Sequence, residues 1–339
     1  MQEIEANSID LMVTSPPYPM IEMWDILFSS LNNKIKKALD HEEGKRAFNL
    51  MHEELNKVWS EVARVLKSGG IVCVNIGDAT RKIGENFQLF PNHVKITNFF
   101  QNNNFIELPC ILWRKPTNSP NKFLGSGMLP PNAYVTLEHE YILIFRKGNT
   151  KQNLKSKLGA RYNSAFFWEE RNKWFSDVWE DIRGTSQTLS KNNNINKKLR
   201  ERSAAYHIEL PYRLINMFSI YEDIVLDPFW GTGTTSLAAM ASARNSIGYE
   251  LNSEFMELFK KEIMKIKQLN YDINLKRINQ HIRFIRNYNK KGKNIKYSSV
   301  QYGFPVITKQ EIELLLYSIK NYSENGNKFI LTYQKFEYK

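Results

Sequence analysis

The chain has 339 residues, of which 42% are hydrophobic and 24% charged, and its 47 Lys and Arg against 35 Asp and Glu give a formal net charge of +12. That balance belongs to a folded globular protein and excludes a disordered or fibrous one, and the length allows one large domain or two. Two cysteines, Cys73 and Cys110, exclude a disulfide scaffold and a cysteine zinc site.

No metal site is expected. No apolar run reaches the roughly 18 residues that a membrane span needs, and the acidic start MQEIEANSIDL has no signal core. The reading is a cytoplasmic protein. The charge is placed unevenly: residues 1–150 are neutral, 151–206 carry +6, 207–264 carry −4 and 265–339 carry +10. Two segments hold the excess, and both are rich in Asn and aromatics. That suits a polyanion partner, although a lysine-rich solvated surface would give the same count.

Ile9 to Val13 reads as a short strand, stopped by Pro16-Pro17. Leu55, Val58, Trp59, Val62, Val65 and Leu66 have helical spacing within a helix from about Phe48 to Lys67, which Gly69-Gly70 ends. Ile71 to Ile76 lacks alternation, as a strand covered on both faces does. Pro91 opens a helix reaching about Asn102. Phe105 to Trp113 and Glu140 to Phe145 read as strands, with a long Pro/Gly/Asn-rich functional loop, 116–137, between them. Residues 149–206 are polar, basic and aromatic. There follow a helix from Tyr206 to Phe218, a strand from Ile224 to Leu226, a glycine turn, a helix from Thr234 to Ser242, a strand from Asn245 to Tyr249 and an amphipathic helix from Phe255 to Leu269. Alternating strands and helices predict an α/β fold with a mostly parallel twisted sheet.

The string Asp227-Pro228-Phe229-Trp230-Gly231-Thr232-Gly233-Thr234-Thr235 follows a strand and opens a helix. Glycines there let backbone amides approach a ligand at a helix N-terminus. Glu250 ends the next strand, 17 residues after Gly233, where a carboxylate suits two ribose hydroxyls. A dinucleotide fingerprint needs a third glycine at 236, and a phosphate loop needs Gly-Lys-Ser/Thr; neither is present. Asp227 would repel a pyrophosphate and attract an ammonium, so the ligand reads as S-adenosylmethionine.

Ser15-Pro16-Pro17-Tyr18 ends the first strand. An exocyclic base amine is a poor nucleophile because its lone pair is conjugated into the ring. The Ser15 hydroxyl and the rigid Pro16 carbonyl could accept its two hydrogens and bring the lone pair out of conjugation. Tyr18 could stack on a base swung out of a duplex. A plain proline turn would also end a strand this way.

Together the two strings resemble the amino-group DNA methyltransferases, in the permuted order with the catalytic motif ahead of the cofactor motif. The likeness covers about residues 8–255. It includes VLKSGGIVCVNIGD (65–78), EYILIFRK (140–147) and the helix 207–218. It implies a Rossmann-like S-adenosylmethionine-dependent methyltransferase fold, with helices on both faces of the sheet. It implies Ser15, Pro16, Pro17 and Tyr18 as catalytic, and Asp227, Phe229, Gly231, Gly233, Thr234 and Glu250 as cofactor-binding. Asp78 would reach cofactor or base, or else cap a helix. A serine in the catalytic motif implies N4 of cytosine, with N6 of adenine as the alternative. RNA or protein-glutamine methylation and an inactive DNA-binding regulator are further alternatives.

The resemblance makes double-stranded DNA the partner, with a cognate restriction endonuclease acting on the same sites and a possible homodimer. It also leads one to expect a strand carrying Gly-Asp ahead of the catalytic segment; with 14 residues before Ser15, that strand is missing or comes from elsewhere. Pro109-Cys110 looks like the nucleophile of carbon-5 cytosine methyltransferases, but it stands in an apolar strand and in the wrong order, so Cys110 reads as a core hydrophobe.

The expected organisation is a core of 1–148 and 207–264, an inserted basic aromatic segment 149–206, and a basic extension 265–339. Candidate DNA contacts are Arg161, Arg171, Lys197, Lys198, Arg200, Arg277, Arg283 and Arg286, with Lys290, Lys291 and Lys293 close by. Trp179 and Ile182 are expected on a strand and the residues before about 172 toward DNA. Trp24 and Asp25, just after the catalytic turn, either line a base pocket or pack.

Overall fold

The computed structural model describes residues 1–115, 124–150, 158–183, 206–292 and 294–338. Ile9–Thr14 (β1) is buried along its whole length, as a central strand covered on both faces must be. The remaining strands are Leu66–Ile76 (β2), Ala79–Ile83 (β3), Asn86–Phe90 (β4), Phe105–Arg114 (β5), Leu124–Gly125 (β6), Ala133–Tyr134 (β7), His139–Lys147 (β8), Val178–Trp179 (β9), Ile224–Asp227 (β10), Asn245–Gly248 (β11), Tyr297–Ser298 (β12), Pro305–Val306 (β13), Tyr317–Asn325 (β14) and Lys328–Lys335 (β15). The helices are Asp25–Leu31 (α1), Asn33–Asp40 (α2), Gly44–Val65 (α3), Asn92–Asn102 (α4), Leu158–Asn163 (α5), Trp168–Trp174 (α6), Glu209–Phe218 (α7), Thr234–Ala241 (α8), Glu254–Ile263 (α9) and Ile266–Lys290 (α10).

Seven strands form one sheet in the order β11-β10-β1-β2-β8-β5-β9. Every pairing is parallel except those of β8, which runs against both β2 and β5. This is the mostly parallel sheet that the sequence predicts. The two-residue period of a strand sorts side chains to opposite faces. Met12, Val72 and Val74 join α3 and α4 in one core, around Trp59 and Phe100. Leu11, Val13 and Cys73 join α7 and α8 in the other. Helices therefore cover both faces. Among the described residues no helix is long and apolar enough to cross a membrane.

Two predicted boundaries move. The strand β2 begins at Leu66, ahead of Gly69-Gly70 rather than after it. Its register against β1 shifts between Ile9 and Leu11, and Gly69 sits at φ 75°, so the glycine pair makes a bulge inside the strand instead of a helix stop. A Cβ on Gly70 would lie 2.9 Å from the Lys67 carbonyl and 3.1 Å from that of Asp10, so only glycine fits. The expected helix 255–269 is two helices, and α10 runs on to Lys290.

The basic extension is packed onto the core. The Asn270 side-chain amide donates to the carbonyls of Ala241 and Tyr317, and the Tyr333 hydroxyl donates to Met240. At the far edge, β11 has no further partner strand among the described residues. A cavity of about 1230 Å³ opens along that edge, walled on its other side by Asn327 to Leu331 and Tyr333. Glu250 lines it, and none of Ser15 to Tyr18 does.

Candidate active site

Parallel pairing puts the carboxyl ends of β10, β1 and β2 side by side, the usual ligand-binding edge of an open α/β sheet. Leu11 and Met12 face Val225 and Leu226, so the strings that begin at Ser15 and Asp227, over 200 residues apart, leave the sheet next to each other. A buried hydrogen bond of 2.6 Å from Thr14 Oγ1 to Asp227 Oδ1 ties them together. The antiparallel β8 brings its amino end, with Glu140, to the same edge.

Asp227 is 3% exposed. Its carboxylate also accepts from Thr235 Oγ1 at 2.6 Å and from the Phe229 amide at 3.1 Å. Burial raises its pKa to about 6, against the pull of these donors. The expected pull of this carboxylate on a ligand's ammonium is therefore replaced by a brace inside the loop. Tyr206 adds its hydroxyl to Thr235.

The two loop glycines have different reasons. Gly233, at φ 76°, is closed in: a Cβ there would lie 2.4 Å from the Phe259 ring. Gly231, at φ 52°, faces open space, its nearest neighbour being the Phe229 carbonyl at 4.0 Å. Glu250 is exposed and accepts from the Gly231 amide and the Asn252 amide, both at 2.8 Å. Phe229 packs edge-on against Trp59 at 5.4 Å, and Thr234 opens α8. Trp230 lies over Gly248, whose Cβ would fall 2.0 Å from the indole, and donates to Ser236.

On the other side, Tyr18 donates to Glu140 Oε2 at 2.9 Å. Asn75 Nδ2 donates to the same carboxylate oxygen at 2.7 Å and to the Tyr18 hydroxyl at 2.8 Å. Ser15 Oγ lies 3.1 Å from the Tyr18 hydroxyl. The Tyr18 proton is committed to Glu140, so between these two hydroxyls Ser15 is the donor. Asn75 Nδ2 also reaches Ser15 Oγ at 3.5 Å, so the serine keeps one lone pair as a further acceptor. Lys115 Nζ holds Glu140 Oε1 at 3.0 Å. Burial and the facing carboxylate push the Tyr18 phenol well above its ordinary range. Asn92, fully buried, donates to the carbonyls of Pro19 and Gly77 and so fixes the turn after Tyr18. His52 leans on Asn92 Oδ1, and burial lowers its pKa to about 4, which keeps it neutral.

Asp78 follows the capping alternative. It accepts from the His93 amide in the first turn of α4 and from the His93 ring at 2.7 Å. Asp25 is paired with Arg81 through two bonds of 2.8 and 2.9 Å, and Trp24 packs against the core. Cys110 is half-buried in β5 and packs against the α3/α4 core, its thiol pushed up by burial, as a hydrophobe's would be.

Of the candidate DNA contacts, Arg161, Arg171, Arg283 and Arg286 are exposed. Lys197, Lys198, Arg200, Lys293 and part of the 116–137 loop lie outside the described residues. Arg277 is a correction. It is buried, and its guanidinium grips Glu170 at 2.6 and 2.8 Å, so it joins the tail to the inserted segment instead of meeting solvent. Trp179 is core on β9, as expected; Ile182 is also core but lies after the strand, not on it. Phe167 and Glu170 turn inward too, which corrects the expectation that residues before 172 all face a ligand.

Asn75, Glu140, Lys115, Thr14 and Thr235 have no place among the residues chosen from sequence. One signal was present: Asn75 is a lone amide in the apolar run IVCVNI.

The family model described as DNA methylase matches residues 9–261. The chain is 55% identical over 338 residues to the Type II methyltransferase M.MthZI of Methanothermobacter thermautotrophicus, covering 99% of this chain and 92% of that one. It is 52% identical to the Type II methyltransferase M.MjaI of Methanocaldococcus jannaschii, covering 83% and 93%. Among solved structures it is similar to a DNA modification methylase of Thermus thermophilus in complex with S-adenosyl-L-methionine, with a TM-score of 0.59 and 28% identity over 78% of this chain and 89% of that one. With the family match spanning the sheet, the glycine loop and the Ser-Pro-Pro-Tyr turn, the chain belongs to the N6/N4 DNA methylase family.

Proposed function

We propose that this chain methylates N4 of cytosine in duplex DNA. In this reading Ser15, Pro16, Pro17 and Tyr18 hold the amine, and Phe229, Gly231, Gly233, Thr234 and Glu250 form the cofactor loop that Asp227 braces. The reading is carried by the hydrogen bond between Thr14 and Asp227, which sets the two strings side by side at one edge of the sheet.

The methyl donor of the family is S-adenosylmethionine, and the residues here fit it. The Gly231 position leaves open space beside an exposed carboxylate, which keeps lone pairs for ribose hydroxyls. When bound, the cofactor supplies an electrophilic methyl group. The protein's work is to present the amine. The Ser15 hydroxyl, with its proton turned to Tyr18, and the Pro16 carbonyl accept the two amine hydrogens and free the lone pair. The Tyr18 ring, packed against Gly77, offers its remaining surface to a base taken out of the stack.

Serine at position 15 supports cytosine, by likeness to the family members with serine there. Arg161, Arg171, Arg283 and Arg286 are assigned to phosphate contact, and the biological role is protection of the host's own sites beside a cognate endonuclease. The test is mass spectrometry of nucleosides from unmodified duplex DNA incubated with the protein and S-adenosylmethionine. N4-methylcytosine is expected. N6-methyladenine would keep the site and overturn the choice of base.

A further inference from the structure

Methylating an amine leaves one proton to dispose of, and a serine hydroxyl is too weak a base to keep it. The fold has placed a carboxylate two hydrogen bonds behind Ser15. We infer that Glu140 is the positioning residue that turns the Ser15 hydroxyl toward Tyr18 and receives the proton released by the target amine, through a relay of Ser15 and Tyr18. This rests on the assignment of Ser15 to that amine.

Four strand ends converge to build the relay. Ser15 and Tyr18 follow β1, Asn75 lies at the end of β2, and Lys115 follows β5. Glu140 lies at the start of β8, which reaches this edge only because β8 is antiparallel to its neighbours. The links are 3.1 Å from Ser15 to Tyr18 and 2.9 Å from Tyr18 to Glu140. Asn75 donates to both Tyr18 and Glu140. Its amide is 2% exposed, and Nδ2 must face the carboxylate, since the oxygen there would meet like charge. Tyr18 gives its own proton to Glu140, so the Tyr18 oxygen is left to accept from Asn75 and from Ser15.

The step balances. The N–H bond of the methylated amine breaks and its electron pair returns to nitrogen. Ser15 Oγ takes that proton and gives its own to the Tyr18 oxygen, and Tyr18 gives its proton to Glu140 Oε2. Ser15 and Tyr18 end unchanged, and the carboxylate has become a carboxylic acid. A phenol so reluctant to ionise suits a group that passes a proton on and never holds the charge. Glu140 is 14% exposed and its other oxygen meets Lys115, 44% exposed, so the acid has a route to water.

The experiment compares wild type, Glu140→Gln and Glu140→Ala as full-length chains. Each is titrated with S-adenosylmethionine, then followed in single turnover on duplex DNA made free of modification by polymerase amplification. Glutamine keeps an acceptor for Tyr18 but cannot take a proton. Its transfer rate at saturating DNA is expected to fall roughly 100-fold, with cofactor affinity and half-saturating DNA within about threefold of wild type. In Glu140→Ala, added formate is expected to restore the rate about tenfold or more by standing in for the lost carboxylate. If Glu140→Ala does not fold, Glu140→Gln decides alone. A Glu140→Gln rate within about threefold of wild type would overturn the proposal. So would a folded, cofactor-binding Glu140→Ala that formate does not help, since the role would then be structural only. A wild-type chain that transfers methyl to no base amine would sink the functional reading itself, and is recognised in the first arm.

Discussion

At the scale of single residues, burial changes what the conspicuous side chains do. The Asp227 carboxylate stabilises a loop, and its raised pKa makes that stability depend on pH. Below about pH 4 the aspartate is protonated in both folded and unfolded chains. Between about 4 and 6 the unfolded chain loses the proton first, so the folded state loses ground as pH rises, and above about 6 the loss is complete. Thr235 can accept as well as donate, so Asp227→Asn is accommodated. It should flatten this window by roughly 2–3 kcal/mol relative to wild type in denaturant titrations from pH 4 to 7; parallel curves for the two proteins would refute the assignment. The loop glycines separate in the same way. Gly233→Ala combines a left-handed backbone with a collision on Phe259 and should cost about 2–5 kcal/mol. Gly231→Ala carries only the backbone cost, about 1–2 kcal/mol, but its methyl enters the space assigned to the cofactor. A folded Gly231→Ala that has lost most of its S-adenosylmethionine affinity is the expected outcome, read by denaturation and cofactor titration.

At the scale of elements, the central strands and both glycine and proline strings were legible, because burial on two faces leaves an unbroken apolar run and Pro-Pro cannot continue a ladder. The bulge at Gly69-Gly70 was not, because a glycine pair after a helix reads equally well as a stop; the collision of a Gly70 side chain with Asp10 exists only once β1 is alongside. Glu140 was hidden for a similar reason, and Asn75 showed only as a lone amide in an apolar run. Their meaning comes from the antiparallel sense of β8, which no local spacing records. Arg277 sits in a basic helix, and its partner Glu170 is 107 residues away. Arg277→Ala, which leaves a buried carboxylate unpaired, should therefore destabilise the protein by about 3–5 kcal/mol, whereas Arg283→Ala, at an exposed position on the same helix, should leave stability within about 0.5 kcal/mol. Equal costs at the two positions would contradict this division.

At the scale of the whole molecule, the described parts of the two segments that hold the excess positive charge pack together. Arg277 with Glu170 and His281 with Glu169 fasten α10 to α6, over a core of Phe167, Ile278, Leu314, Leu316 and Phe336. The exposed arginines of both segments thus sit on a shared body joined to the sheet. If Arg283 and Arg286 each meet a phosphate, replacing both with alanine should reduce the slope of log affinity for DNA against log salt by about 1.8; an unchanged slope would remove them from the interface. The central claim is that the turn after β1 and the loop after β10 make one site with divided labour, one holding the amine and the other the cofactor. The most direct test is Ser15→Ala, measured for S-adenosylmethionine affinity and for single-turnover methyl transfer to unmodified duplex DNA. The account predicts affinity within about threefold of wild type and transfer slowed roughly 100-fold; transfer at the wild-type rate would contradict it.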